Sequence, residues 1–133
     1  MKELQQNHRD RDRYRDAIDL LRSRANLLVG KDKVLMTMYL ENGNSFRQMA
    51  QLAGVSEATI ARKIRTLSAR LTDGEYITCL RNRDKFSEIE LSIAKDYFLT
   101  GLSMRKIATS KHYTLYCIRK TVKRIQGVLK GQV

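Results

Sequence analysis

The sequence predicts an all-α protein with an N-terminal amphipathic helix followed by two related units of three helices each. Three observations support this fold class. Proline is absent from the 133 residues, so only glycine and turn-forming side chains are left to end helices. Apolar residues recur at helical spacing through most of the chain. Two long segments also match each other without gaps, which indicates a repeated unit.

The first segment, residues 1–30, carries one apolar stripe. Its members are spaced alternately four and three residues apart, as on one face of an α-helix, and Gly30 is suited to end that helix. The stripe consists of Tyr14, Ile18, Leu21, Ala25 and Leu28. Two interpretations are open: the helix packs on its own chain, or the stripe forms a homodimer with a second copy over about two heptads.

An internal repeat relates residues 31–72 to residues 87–133. Shifting the chain by 58 positions aligns identical residues of both polar and apolar types. The identical pairs are Tyr39/Tyr97, Gly43/Gly101, Ser45/Ser103, Arg47/Arg105, Ala50/Ala108 and Ile60/Ile118. Helical periodicity alone can align apolar residues, whereas the aligned glycine, serine and arginine positions indicate a duplication.

Each copy is predicted to contain three helices. In the first copy, Ser45 and Gln48 form a capping-box pattern before a short helix, and Gly54 suits the left-handed turn that stops it. Ser56 then caps a longer helix. A short helix, a tight turn and a longer helix, braced by a preceding helix, make the tri-helical helix-turn-helix plan. In the second copy the predicted capping residues are Ser87, Ser103 and Thr114.

The predicted domains are therefore an N-terminal helix (1–30), a first helix-turn-helix unit (31–72), a linker (73–86) and a second unit (87–133). Within the linker, residues 75–80 are of types that favour strands. A fully extended connector of about 14 residues reaches up to ~45 Å.

The composition favours a polyanionic partner. Lys and Arg total 26 against 14 acidic residues, which gives a net charge of +12. The excess is concentrated in the two units, with +4 over residues 31–72 and +6 over residues 88–133. Nucleic acid and anionic membrane are the two candidate partners. A membrane-surface helix needs large apolar residues on its free face, whereas the apolar stripes here are used by a core, so no membrane partner is expected.

Other classes of function are not indicated. Cys79 and Cys117 show no zinc-binding spacing, and His8 and His112 are isolated, so no metal, cofactor or catalytic site is expected. Residues 30–33 lack the pattern of a phosphate-binding loop. The N-terminus lacks the apolar stretch of a signal peptide, and no apolar run approaches the ~18 residues of a membrane span. We expect a cytoplasmic protein that is not an enzyme.

The helix-turn-helix plan predicts binding to double-stranded DNA. The longer helix can enter the major groove, and the N-terminus of the shorter helix faces phosphate. Glu57 can accept from cytosine, Arg62 can pair with guanine, and Ala58 can touch a thymine methyl group. The predicted DNA-binding residues of the first unit are Ser45, Arg47, Gln48, Ser56, Glu57, Ala58, Arg62, Lys63 and Arg65.

The second unit offers a different set of side chains. The predicted residues are Ser103, Arg105, Lys106, Lys111, Thr114, Leu115, Tyr116, Arg119, Lys120 and Lys123. Leu115 and Tyr116 are less obvious base readers than Glu57 and Arg62. Two interpretations are open for this unit: it binds mainly through the DNA backbone, or Tyr116 belongs to a protein contact.

Residues 44–60 resemble the promoter-binding fourth region of bacterial sigma factors. The shared features are Ala50, the Gly54-Val55-Ser56 turn and the Thr59-Ile60 pair, while Gln48-Met49 replaces the usual acidic-isoleucine pair. Residues 101–108 match the front of the same pattern, but His112-Tyr113-Thr114 stands at the turn. The resemblance implies a sigma-like regulator of bacterial or phage type that reads promoter DNA and contacts RNA polymerase.

Two alternatives to DNA reading stay open. A tri-helical bundle can act as a protein-protein adaptor, for example on RNA polymerase, without reading DNA. RNA binding is the other alternative, although stacking aromatic residues, which favour RNA, make up only 7% of the chain.

Overall fold

The computed structural model describes residues 2–131, with side chains from Arg9 onward. Every regular element in this range is helical, and no β-strand occurs within it. The all-α fold class is thereby confirmed. None of the described helices is both long enough and apolar enough to pass through a membrane. The chain divides into two compact units, one up to Ser68 and the other from Ala69 onward.

The first unit is built from the N-terminal helix and the three helices that follow it. These are α1 (Lys2–Arg24), α2 (Gly30–Leu40), α3 (Phe46–Ala53) and most of α4 (Glu57–Asp73). Buried side chains from α2, α3 and α4 form the core, and Met36, Met49 and Leu67 are fully buried in it. The rings of Tyr39 and Phe46 stack beside this core, with their centroids 5.6 Å apart.

Helix α1 ends earlier than the sequence predicts. It stops at Arg24, a 3₁₀ turn follows over Ala25–Leu27, and Leu28 is extended. The prediction that Gly30 ends the first helix is wrong, because Gly30, with a φ of 59°, instead opens α2. The break allows Leu28 to be buried in the core, whereas Ala25 is only partly buried.

The apolar stripe of α1 is used unequally. Leu21 and Leu28 are buried within their own unit, Ile18 is half-buried, and Tyr14 is 68% exposed. Near the end of α1, the Arg22 guanidinium donates a hydrogen bond to the carbonyl oxygen of Leu40 on α2 at 3.2 Å. Packing on the same chain thus accounts for the C-terminal half of the stripe. The predicted homodimer would depend on Tyr14 and Ile18.

The second unit begins in the last turns of α4. It continues with α5 (Glu75–Arg81), α6 (Glu88–Ala94), α7 (Met104–Lys111) and α8 (Leu115–Lys130). Ile93, Ile107, Ile118 and Val122 form the centre of its core, together with Ala108. The partly buried side chains packed against this centre are Tyr97, Phe98, Leu102 and Met104.

The segment with strand-like composition is the helix α5. Its residues Tyr76, Ile77 and Cys79 are buried, so this part of the predicted linker is an ordered piece of the second unit. A connector that extends to ~45 Å is therefore excluded. Gly74 permits the sharp junction with α4, because a Cβ atom at this residue would lie 2.3 Å from the carbonyl oxygen of Arg70.

Helix α6 is continued by a π-helical stretch over Lys95–Thr100, which ends at Gly101 in the left-handed conformation. Ser87 caps the start of α6 as predicted, and it does so in a capping box with Glu90. The guanidinium of Arg70 donates to the carbonyl oxygen of Leu99 at 3.2 Å and so satisfies one of the carbonyl groups that the helix end leaves open.

Candidate nucleic-acid interface

The turn between α3 and α4 positions the candidate interface of the first unit. Ser45 and Gln48 form the predicted capping box at the start of α3. Gly54 ends the helix with a φ of 70°, and the N–H of Val55 then donates to the carbonyl oxygen of Ala50 at 3.1 Å. The Ser56 hydroxyl oxygen accepts from the Thr59 N–H at 3.1 Å, which caps α4. The backbone of this turn is therefore held by local hydrogen bonds on both sides.

The outward face of α4 is opposite its buried stripe. Because Ile60, Ile64 and Leu67 face the core, positions 58, 62 and 65 face solvent. Ala58, Arg62 and Arg65 are all exposed, as are the turn residues Ser56 and Glu57. Within the described residues, Arg62 and Arg65 have no ion-pair partner, so both guanidinium groups are available to an anion.

Lys63 differs from its neighbours on α4. Its ammonium lies 3.2 Å from a carboxylate oxygen of Asp32 on α2, and the Asp32 side chain is only 14% exposed. The Lys63 side chain is itself 41% exposed, and its charge is partly balanced by Asp32, which weakens its predicted role as a phosphate contact.

The second unit repeats this local geometry between α7 and α8. Ser103 caps α7 by accepting from the Lys106 N–H, and Thr114 caps α8 by accepting from the Cys117 N–H. His112 adopts the left-handed conformation with a φ of 60°, and the N–H of Tyr113 donates to the carbonyl oxygen of Ala108 at 3.0 Å.

The outward face of α8 carries four side chains that the sequence predicts for DNA binding: Tyr116, Arg119, Lys120 and Lys123. All four are exposed, and within the described residues the three cations have no ion-pair partner. Tyr116, Lys120 and Lys123 follow one another at helical spacing, opposite the stripe that α8 buries in the core. Leu115, also predicted, is half-buried.

The Lys111 side chain makes its polar contacts within its own unit. Its ammonium lies 3.3 Å from a carboxylate oxygen of Asp96, it also hydrogen-bonds to the hydroxyl of Ser92, and its side chain is only 18% exposed. This arrangement makes Lys111 an internal link between α7 and the helix before it. Arg105 and Lys106 are exposed on α7, as are Arg47 and Gln48 on α3.

Sequence reasoning missed an apolar groove on the first unit. The groove has a volume of about 620 Å³ and runs between α2 and α3, where Val34 and Leu52 are 60% and 74% exposed. Met49 and Ala53 also line it. The available signal was Leu52, an apolar residue outside the buried stripe of α3.

No metal centre is indicated by the described part of the chain, which holds no group of three or more His, Cys, Asp or Glu side chains in metal-binding proximity. Comparison of this chain with protein-family models, with curated proteins and with solved structures found no significant match.

Proposed function

We propose that this protein binds double-stranded DNA in a sequence-specific manner as a sigma-like bacterial or phage transcriptional regulator. In this proposal, residues 31–72 and 87–133 are two helix-turn-helix units that arose by duplication, and α4 and α8 are their recognition helices. The sigma-like assignment rests on the resemblance of residues 44–60 to the promoter-binding region of sigma factors.

The boundaries of the helices support the duplication. Helices α3 and α7 each contain eight residues, and their first residues, Phe46 and Met104, are 58 positions apart. The first residues of α4 and α8, Glu57 and Leu115, are separated by the same number. The left-handed residues Gly54 and His112 follow the same spacing.

The observation that carries the proposal is the free positive charge on the outward faces of α4 and α8. Arg62 and Arg65 on α4 correspond in the repeat to Lys120 and Lys123 on α8, and all four are exposed. The protein carries a net charge of +12, and these cations face solvent on the longer helix after a tight turn. In duplex DNA, phosphates line both sides of the major groove, so a helix in the groove can bring such cations close to them.

Fluorescence anisotropy tests this function. We would titrate the protein into a randomised duplex and into single-stranded RNA of equal length, at several salt concentrations. We expect tight, salt-sensitive binding to the duplex, weakened by Arg62→Ala and by Lys120→Ala. Lys33→Ala and Lys85→Ala remove the same charge from exposed positions outside the proposed face and should have little effect.

On a selected target site, Arg62→Ala should cost on the order of 1–3 kcal/mol and relax one base position. An equal loss on every sequence would make Arg62 a backbone contact. Absence of duplex binding at low salt would refute the proposal, and stronger binding to the RNA would favour RNA as the natural ligand.

A second candidate function is a protein-protein adaptor on RNA polymerase, and the apolar groove between α2 and α3 favours it. Exposed apolar side chains such as Val34 and Leu52 are typical of protein-binding surfaces. Under this alternative, Leu52→Glu abolishes capture of RNA polymerase, while Arg62→Ala changes no DNA affinity. Under the proposed function, Arg62→Ala weakens DNA binding whatever the effect of Leu52→Glu.

A further inference from the structure

The two proposed recognition helices differ in the first turn of their outward faces. The repeat aligns Ala58 of α4 with Tyr116 of α8 in sequence, and two basic residues follow at the same spacing in both helices. The α8 position carries a large aromatic ring that is 73% exposed. A small methyl group on one helix is thus replaced by a ring on the other.

Among the residues that the structure describes, none stacks on or hydrogen-bonds to the exposed ring of Tyr116 in a way that would explain its position. The core of the second unit is completed by Ile118 and Val122, which lie on the opposite face of α8. Lys120 and Lys123, one and two turns further along, share the face of Tyr116. On this face the aromatic ring comes before the two lysines along the helix. A matching ligand would present an apolar group next to negatively charged groups.

The major groove of an A·T base pair has this combination. Thymine presents its C5-methyl group in the groove, between the two phosphate backbones, and apolar side chains recognise it by contact. The first turn of a recognition helix is the part that reaches base edges, and Tyr116 is the second residue of α8.

We propose that Tyr116 makes the second unit selective for thymine, by packing its ring against thymine methyl groups in the major groove. The first unit reads its part of the site by a hydrogen bond that Glu57 accepts and hydrogen bonds that Arg62 donates. This inference rests on the proposed function, and it predicts that the part of the DNA site bound by the second unit contains thymine.

The test compares an A·T duplex with the same duplex in which uracil replaces every thymine, a change that removes only the methyl groups. The wild-type protein should bind the uracil duplex more weakly, by about fourfold for each methyl group that the ring covers, given the free energy of burying one such group. Tyr116→Ala should reduce this ratio, and Tyr116→Phe should retain it. Lys120→Met is the matched control: it should weaken binding to both duplexes equally.

The failures of the two proposals are distinguishable. Duplex binding with the same thymine-to-uracil ratio in wild type and Tyr116→Ala overturns the role of Tyr116 and leaves DNA binding intact. If Tyr116→Phe binds the thymine and uracil duplexes equally well, the role of the ring is also overturned, because the preference for thymine would then depend on the hydroxyl group. Single-stranded DNA is titrated in parallel. If Tyr116→Ala weakens binding to single-stranded DNA alone, the ring stacks on bases and does not contact thymine methyl groups. Binding to neither duplex would remove the proposed function and this inference together.

Discussion

Cys79 and Cys117 lie in opposite environments, and their reactivity should differ accordingly. Cys79 is fully buried in the second unit, and burial, together with the charge of Glu75, raises the pKa of its thiol to about 11. Cys117 is exposed on α8. Because the thiolate is the reactive form, a thiol reagent near neutral pH should modify Cys117 and spare Cys79 until the protein unfolds. Mass spectrometry of the labelled protein, with Cys117→Ser as control, measures this. Equal labelling of both residues in the folded protein would contradict the burial of Cys79.

The raised pKa of Cys79 also makes stability depend on alkaline pH. In the unfolded chain the thiol ionises near its ordinary value of 9, whereas in the folded protein it stays protonated up to about 11. The resulting stabilisation is fully present below pH 9 and is lost as the pH rises through 11. Burial raises the pKa of Tyr76 in the same direction. Denaturant titrations should therefore give a free energy of unfolding that falls between pH 9 and pH 11, and less steeply in Cys79→Ala. Identical slopes for the two proteins would show that Cys79 does not contribute.

Lys111 and Lys120 allow the structural and the binding roles of a lysine to be separated. Lys111→Met leaves Asp96 without its partner and should lower the free energy of unfolding by about 1 kcal/mol, with little effect on the salt dependence of DNA binding. Lys120→Met should leave stability unchanged and reduce the slope of log K against log salt by about 1. Thermal unfolding and anisotropy measure the two quantities. The reverse assignment of effects would place the phosphate contact at Lys111.

At the scale of elements, the two turns before the proposed recognition helices differ at their left-handed residue. Glycine adopts this conformation without strain, whereas a side chain there costs on the order of 1 kcal/mol. The backbone at Gly54 and His112 has nearly the same φ, 70° and 60°. We therefore expect Gly54→Ala to destabilise the protein by about 1 kcal/mol and His112→Gly to stabilise it by a similar amount. Chemical denaturation measures both, and a destabilising His112→Gly would mean that the imidazole makes a contact worth more than the strain.

The capped N-terminal ends of three helices were predictable because they depend on local chemistry, whereas the end of α1 was not. Ser45, Ser103 and Thr114 each cap a helix by accepting a hydrogen bond from the backbone N–H three residues ahead. Such short-range caps can be identified from the sequence alone. The helix α5 was not predictable in this way. Its residues Tyr76 and Ile77 favour strands by themselves, and burial in the second unit overrides that preference.

The candidate site was predictable to the same extent. The buried stripes at Ile60 and Ile118 fix which side chains face outward, so the exposure of Arg62 and Lys120 follows from the sequence. The ion pair that balances Lys63 could not be predicted, because its partner, Asp32, comes from another helix and the sequence does not give their distance. Local patterns thus identify the face, and tertiary packing decides which of its charges are free.

At the scale of the whole molecule, a net charge of +12 makes the salt dependence of binding the measure of how many units touch DNA. Each phosphate contact contributes about −0.9 to the slope of log K against log salt. Loss of two phosphate contacts by Arg47→Ala with Arg65→Ala should therefore reduce the slope by about 1.8, and so should Lys120→Ala with Lys123→Ala. The pair Lys33→Ala and Lys85→Ala controls for the change in net charge.

The variant that combines all four substitutions shows whether the two units act on one duplex. If both units contact the bound DNA, the slope of this variant should be reduced by about 3.6, the sum of the two pairs. If only one unit binds, one pair will account for the whole reduction and the other pair will behave like the control. That second result would leave a single-headed DNA-binding protein, with the other unit free for a protein partner such as RNA polymerase. A slope unchanged by every pair would show that these cations do not meet phosphate at all.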